Sequence, residues 1–386
     1  MLVAALVFLS LLLPSNQLLT QHDALRSIRR VARSNAFRSI QWSKEPFPFR
    51  YDSDYLTEPK DVLKERKADR IIEGLPGQPD GSKFSQYSGY ITVNASTQRS
   101  LFYYFAEATH NCSSKPLLLW LNGAEDNYAF LVNWFKRFAQ YRFRDFYIAG
   151  ESYAGSYVPE LAATILEHKK KSQASFMNFK GVMVGNSDMS IVSDDIGEYV
   201  YAWSHALISD ETYEQLMRHC SNISFIHLNN EQCVSLQNKM YAEMGNIDTY
   251  AIYDSTCPKA SSTKSLSRQG NAYQYDPCID NYVLKYMNRL DVQKAFHSLV
   301  YQSFSFSSLE ELCQHSFANL SPTHLSGIKN SNIQVGGYSV IYKGNFTFAT
   351  VREAGHEVPL HQPLRSFTLL RYFLAGQPLP RQQRRS

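Results

Sequence analysis

The sequence predicts an α/β fold built around a largely parallel sheet. Two observations carry this expectation. Short apolar runs of strand length alternate with helical patterns between residues 115 and 184, and that alternation marks crossover-connected parallel strands. The second of these runs leads directly into a glycine-rich turn before a helical pattern, Gly150-Glu151-Ser152-Tyr153-Ala154-Gly155. The 386 residues are 44% hydrophobic and 19% charged, which supports a sizeable core and excludes global disorder. The formal charge is +4. Part of that surplus sits in Arg26 to Arg38 and Arg381 to Arg385, and it is too small to argue for a nucleic-acid partner.

Taken in order, the first element is the apolar run Leu2 to Leu13, broken only by Ser10 and followed by Pro14, Ser15 and Asn16. It reads as the apolar region of a secretory signal peptide covering residues 1–17. A buried strand or short helix is the other reading of the same run. No apolar run reaches the roughly 18 residues of a membrane-spanning helix. Residues 18–67 are basic and then mixed, with Pro46, Pro48 and Pro59, and read as a propeptide or extended arm.

The core is expected to begin near residue 68. Tyr87–Val93 and Ser100–Phe105 are rich in aromatic and β-branched residues and read as a hairpin turning through Asn94–Arg99. The run ending in Leu119-Trp120-Leu121-Asn122-Gly123 reads as a buried strand. Tyr128–Phe138 puts Phe130, Leu131, Trp134, Phe135 and Phe138 on one helical face. Asp145–Gly150 reads as a second strand, Tyr157–Lys171 as a helix and Phe179–Val184 as a third strand.

Residues 188–290 change character. Helical stretches alternate with loops, four of the six cysteines lie there, and Lys259–Gly270 is a polar loop. This region reads as a cap inserted between core parts 68–187 and 291–380. The second part closes with a strand at Thr347–Arg352 and a helix at Pro363–Ala375. Residues 381–386 form a basic tail.

Five sequons, at Asn94, Asn111, Asn222, Asn319 and Asn345, together with the leader, indicate a secreted glycoprotein. The six cysteines are Cys112, Cys220, Cys233, Cys257, Cys278 and Cys313. An even count in an exported chain suggests disulfides, and six thiols allow 15 pairings. None forms a C-x-x-C pair or has a histidine at metal spacing, so neither a metal nor a cofactor is expected.

The chemistry points to Ser152. Its G-x-S-x-G setting between a strand and a helix is that of a nucleophile elbow, where flanking glycines allow a strained turn to lift the Oγ clear of the backbone. The amide of Tyr153 would then face a developing oxyanion. A serine nucleophile needs a base that follows it in the chain. His356 qualifies, in the loop Ala354-Gly-His-Glu-Val-Pro between the last strand and the last helix. His361 lies beyond Pro359, and His205, His219 and His227 fall in the cap region.

With these motifs assembled, the sequence resembles the plant-type serine carboxypeptidases and carboxypeptidase-like proteins. Leu75-Pro-Gly-Gln-Pro, Gln86-Tyr-Ser-Gly-Tyr, Leu119-Trp-Leu-Asn-Gly, Phe146-Tyr-Ile-Ala-Gly-Glu-Ser-Tyr-Ala-Gly, Asp291-Val-Gln-Lys-Ala and Ala354-Gly-His-Glu-Val-Pro match the family's motifs in order, from about Ala68 to Pro380. The resemblance implies an α/β-hydrolase fold with a helical cap, and a peptidase that removes C-terminal residues from peptides through a Ser152–His356 acyl-enzyme mechanism. It further implies that Asn122 and Glu151 bind the substrate's terminal carboxylate, with a protonated Glu151 favouring acidic pH. Disulfides Cys220–Cys233 and Cys257–Cys278, a secreted or vacuolar location and a homodimeric state are also implied.

Two departures from the family pattern matter. After Gly123 the chain continues with Ala124-Glu-Asp-Asn-Tyr, where the family has a glycine-rich oxyanion segment. A block with one sheet strand, a second carboxylate-binding Glu and the expected partner of Cys313 is therefore absent, and Ala124 stands at the second oxyanion position. The other departure concerns the triad acid. No aspartate follows Asp291, and the only acids between it and His356 are Glu310, Glu311 and Glu353. The sheet is accordingly expected to lack two strands and the enzyme to have little activity. The competing expectations are an acyltransferase of the same family using sugar esters, against which Ala154 leans by resemblance, and an inactive glycoprotein or non-functional product.

Overall fold

The computed structural model describes residues 3–8, 60–79, 84–121, 126–171, 175–221, 230–257, 276–298, 336–342, 344 and 346–380. They fall into two compact units. The first holds a seven-stranded sheet. Its strands in chain order are β1 (Val3–Phe8), β2 (Arg70–Ile71), β3 (Gln86–Asn94), β4 (Arg99–Ala106), β5 (Leu117–Leu121), β6 (Asp145–Glu151) and β7 (Asn178–Gly185), and their spatial order is β2-β3-β4-β1-β5-β6-β7. The hairpin β3–β4 is antiparallel, while β1, β5, β6 and β7 run parallel.

The position of β1 differs from the expectation of a leader alone. Val3–Phe8 lies between β4 and β5, antiparallel to the first (Ala4 opposite Ala106, Phe8 opposite Phe102) and parallel to the second (Val3 opposite Leu117, Val7 opposite Leu121). The reason is that a leader and a fully buried parallel strand are both made of continuous apolar residues. The sequence pattern alone does not separate the two.

Helices cover both faces of the sheet. On one face lie α2 (Asn127–Arg137) and α3 (Ala154–Lys170). Alternation along the strands sends Leu117, Leu119 and Leu121 of β5, and Phe146 and Ile148 of β6, into this layer. The apolar stripe of α2 meets them. Trp134 stacks on Phe138 at 4.6 Å between ring centres, and Phe105 of β4 meets Trp134 edge-on at 5.3 Å. Each such ring buried contributes about 1.5–3 kcal/mol. The opposite residues, Leu118 of β5 with Tyr147 and Ala149 of β6, pack against Leu370 and Phe373. Those two lie on the last helix, α10 (Pro363–Leu374).

A partly buried ionic cluster joins these layers to α1 (Lys60–Ala68). Arg137 of α2 bonds Asp69 at 2.8 Å, Glu65 at 2.9 Å and the Tyr90 carbonyl at 3.0 Å, while the Tyr103 hydroxyl donates to Asp69 at 2.7 Å.

The second unit includes Ser187–Thr256, with helices α4 (Ile191–Ser204), α5 (Asp210–Cys220) and α6 (Glu231–Met244). Tyr199, Leu216 and Met240 form its small core beside the Cys220–Cys233 disulfide. Ser209 caps α5 by accepting from the Thr212 amide. The chain from Cys257 onward belongs to the first unit again, which contains the second implied disulfide, Cys257–Cys278. Cys112 is a free thiol, and Cys313 lies outside the described residues, as do Lys259–Gly270.

Helices α7 (Ile279–Met287) and α8 (Leu290–Ala295) follow. Strands β8 (Ser339–Ile341) and β9 (Thr347–Ala349) then pair with each other in a separate two-stranded sheet. The short helix α9 (Val358–His361) precedes α10. Among the described residues, no helix is long and apolar enough to cross a membrane.

Candidate active site

The parallel strands end at one edge of the sheet, where Glu151, Ser152 and Tyr153 lie and to which the His356 loop is bonded. Strand β6 finishes at Glu151, Ser152 and Tyr153 make the turn, and α3 starts at Ala154. The helix begins three residues before its sequence-predicted start, because the elbow leaves the strand straight into its first turn. Ser152 has φ +60, a conformation costing a side-chain-bearing residue about 1–3 kcal/mol and found where structure around it enforces it. The Gly155 amide donates to the Ser152 carbonyl at 3.0 Å, closing that turn.

Gly150 shows why the first glycine is needed. A Cβ there would lie 2.5 Å from the Ala154 Cβ, 2.8 Å from the Leu121 carbonyl oxygen and 3.2 Å from Val158. The close approach of α3 to β5 and β6 therefore depends on a missing methyl group. Tyr153, at the head of the 17-residue α3, has its main chain at the positive end of the helix dipole, where developing negative charge is stabilised. Its ring packs edge-on against Tyr157.

Strand β7 supplies the contacts that bring in the histidine. The Ser152 amide donates to the Gly185 carbonyl at 3.0 Å. The next residue, Asn186, donates from Nδ2 to the His356 carbonyl at 2.7 Å and contacts the Gly355 carbonyl at 3.5 Å. The elbow and the histidine loop thus attach to consecutive residues at the end of one strand. Glu151 is 6% exposed, and Gly185 lies beside it, with a Cβ there in ordinary contact at 3.7 Å from its carboxylate.

His356 is half-buried. Its carbonyl also accepts from the Val358 amide at 3.1 Å as the chain enters α9. His361 is turned into that helix, with Nδ1 2.9 Å from the Glu357 carbonyl. Glu353 has φ +60. Its carboxylate pairs with Arg365 of α10 at 3.1 Å, and its carbonyl accepts from Gln362 at 2.8 Å. Asn122, Ala124, Glu310 and Glu311 lie outside the described residues, as do sequons Asn222, Asn319 and Asn345. Sequon Asn111 is exposed, and Asn94 is half-buried at the end of β3. No group of three or more metal-ligating side chains is found among the described residues.

Sequence reasoning missed Gly185 and Asn186. A signal was there: a Gly-Asn pair directly after a buried parallel strand marks a turn at the sheet edge where α/β proteins place their sites.

A strand, a strained serine turn and a helix on a mixed sheet, with a histidine loop at the same edge, define the α/β-hydrolase class. A yeast structure titled as a prohormone-processing carboxypeptidase, KEX1(delta)p of Saccharomyces cerevisiae, shares this fold, with a TM-score of 0.57 at 16% identity over 81% of this chain and 96% of its own. The chain belongs to the serine carboxypeptidase family, whose profile matches residues 76–123, 124–328 and 307–376. It is similar to putative serine carboxypeptidase-like 23 of Arabidopsis thaliana, with 34% identity over 81% of this chain and 93% of the relative. Serine carboxypeptidase 24 of Arabidopsis thaliana is also 34% identical, over 82% of this chain and 94% of the relative.

The first comparison extends over 427 positions, more than the whole of this chain, so that relative has blocks without a counterpart here. The family match also breaks between Gly123 and Ala124, and again in the region of residues 307–328.

Proposed function

We propose that this chain is a serine-type carboxypeptidase by descent, with Ser152 as nucleophile and His356 as base, and that its turnover is far below that of an intact relative. The observation that carries this reading is the shared anchorage of the Ser152 elbow and the His356 loop on Gly185 and Asn186. In the reaction, the Ser152 Oγ attacks the last peptide carbonyl and its proton passes to His356. The Tyr153 amide, with that of Ala124, faces the oxyanion. The protonated His356 then gives its proton to the departing amino acid as the C–N bond breaks. Water, deprotonated by His356, releases the acyl group. Asn122 and Glu151 hold the substrate's terminal carboxylate.

The reading of low turnover is supported by the lack of any aspartate after Asp291 and by the engagement of Glu353 with Arg365. A triad acid fixes the histidine tautomer and stabilises the imidazolium, and water neither carries charge nor holds the ring. The apolar run Leu2–Leu13 directs the chain into the secretory pathway, where Asn94 and Asn111 receive glycans and the two disulfides form. Substrates are peptide C-termini.

A fluorophosphonate probe tests the nucleophile. Slow labelling that disappears in Ser152→Ala is expected, and labelling unchanged in that variant would remove Ser152 from the site.

A further inference from the structure

We propose that Asn186 is a positioning residue of this site, whose side-chain amide fixes the His356 loop against the strand end that carries the Ser152 elbow. The proposal rests on the Ser152–His356 reading above and adds to it a residue outside the reacting groups.

The geometry sets the chemical requirement. The targets are two main-chain carbonyls, those of His356 at 2.7 Å and Gly355 at 3.5 Å. Carbonyls accept only, so the anchor must be a donor, and an amide NH2 offers two hydrogens. The anchor must also suit its own backbone. Asn186 has φ +40, in the positive-φ range where asparagine is one of the few side-chain-bearing residues enriched. Asparagine therefore meets both demands at once. Aspartate keeps the shape but presents an anion to two carbonyl oxygens. Glycine suits the turn but has no donor.

The position of this bond makes it matter for the chemistry. On its other side the loop is tied to α9 and α10 through Glu353, Gln362 and Arg365. Those ties fix it to the C-terminal helices, which reach the sheet through the packing of Leu370 and Phe373 on β5 and β6 and not through the end of β7. Asn186 supplies the bond to the sheet, one residue beyond the carbonyl that accepts from the Ser152 amide. A small displacement of the histidine ring relative to the serine Oγ weakens proton transfer much more than it weakens the fold, and a 1 Å misplacement costs up to about a hundredfold in rate. Asn186 is exposed, so its bond competes with water and contributes little to stability. Rate, rather than folding, is where its loss is felt.

The test compares Asn186→Gly, Asn186→Asp and the parent chain for fluorophosphonate labelling of Ser152, separating the limiting rate from the half-saturating probe concentration. Thermal unfolding and amide hydrogen exchange across residues 353–358 are measured on the same samples. Both variants are expected to lower the limiting rate by about tenfold to a hundredfold, with half-saturation unchanged and faster exchange in the loop. Asn186→Gly is decisive because it keeps the turn and removes only the donor. A limiting rate in Asn186→Gly equal to that of the parent would overturn the proposal. If the parent does not label at all, the serine-histidine reading fails, and the exchange data still judge the anchor: unchanged loop exchange in both variants overturns it.

Discussion

The side chain of Asn186 donates to the main-chain carbonyl of His356 at 2.7 Å, across a chain separation of 170 residues. The residue before it accepts from the Ser152 amide. Two segments far apart in sequence are therefore both bonded to one strand end, at Gly185 and Asn186.

The elbow makes a sharp packing prediction. In Gly150→Ala the added methyl group would meet Ala154 at 2.5 Å and the Leu121 carbonyl at 2.8 Å, one on α3 and the other a main-chain oxygen. Neither yields easily, and overpacking of this kind costs about 1–3 kcal/mol. Gly150→Ala is expected to unfold at lower denaturant concentration and to lose Ser152 labelling. Unchanged stability together with unchanged labelling would show that α3 does not approach β5 and β6 this closely.

The Asp69–Arg137 pair yields a prediction about stability and pH. Removing Asp69 takes one carboxylate from a partly buried Arg137 that keeps Glu65 and the Tyr90 carbonyl, so Asp69→Leu alone should be destabilising by less than the roughly 3 kcal/mol of a stranded buried charge. Asp69→Leu with Arg137→Met should recover most of the loss. Burial pushes the Asp69 carboxyl above its ordinary value against the opposing pull of Arg137 and Tyr103. A carboxyl raised on folding binds its proton more tightly in the native chain than in the unfolded one. Its contribution therefore falls as pH rises from the ordinary carboxylate value through the raised one, and is level on either side. Denaturant midpoints of the parent relative to Asp69→Asn, measured through the mildly acidic range, should decline with rising pH. A relative midpoint that increases instead would mean that the ion pair outweighs burial.

Much of the first unit was legible because its strands and helices announce themselves locally. Leu117–Leu121 and Phe146–Gly150 are continuous runs of apolar and aromatic residues, and the stripe Phe130, Trp134, Phe135 and Phe138 has helical spacing. Ser152 was legible because its motif requires a strand before it and a helix after it. The contact between Asn186 and His356 was not, since nothing local specifies which carbonyl an amide will reach across 170 residues. The last strand, expected over Thr347–Arg352, pairs only over Thr347–Ala349; the chain turns away just beyond, where Glu353 takes a positive φ and pairs with Arg365. For Val3–Phe8 the sequence left two readings, leader and buried strand, because membrane targeting and strand burial select the same residues.

That ambiguity has a measurable consequence. Strand β1 sits between β4 and β5. Its removal would leave two facing rows of backbone groups without partners inside the sheet, which folded proteins avoid. The product expressed with its own N-terminus in a secreting host is expected to lose mass on glycosidase treatment, from Asn94 and Asn111; as a cleaved leader the apolar run is gone from it, and as β1 residues 3–8 stay. Intact mass and N-terminal sequencing decide the matter. A product that starts beyond residue 17 and still unfolds cooperatively would show that the lane closes without this strand, and one with no removable sugar would contradict export.

The most direct measurement is hydrolysis of a blocked dipeptide at mildly acidic pH, with Ser152→Ala as the blank and an intact relative beside it. The account predicts a serine-dependent rate several orders of magnitude below the relative, about four decades if loss of the acid alone sets it. A rate within about tenfold of the relative would contradict it and show that another carboxylate orients His356.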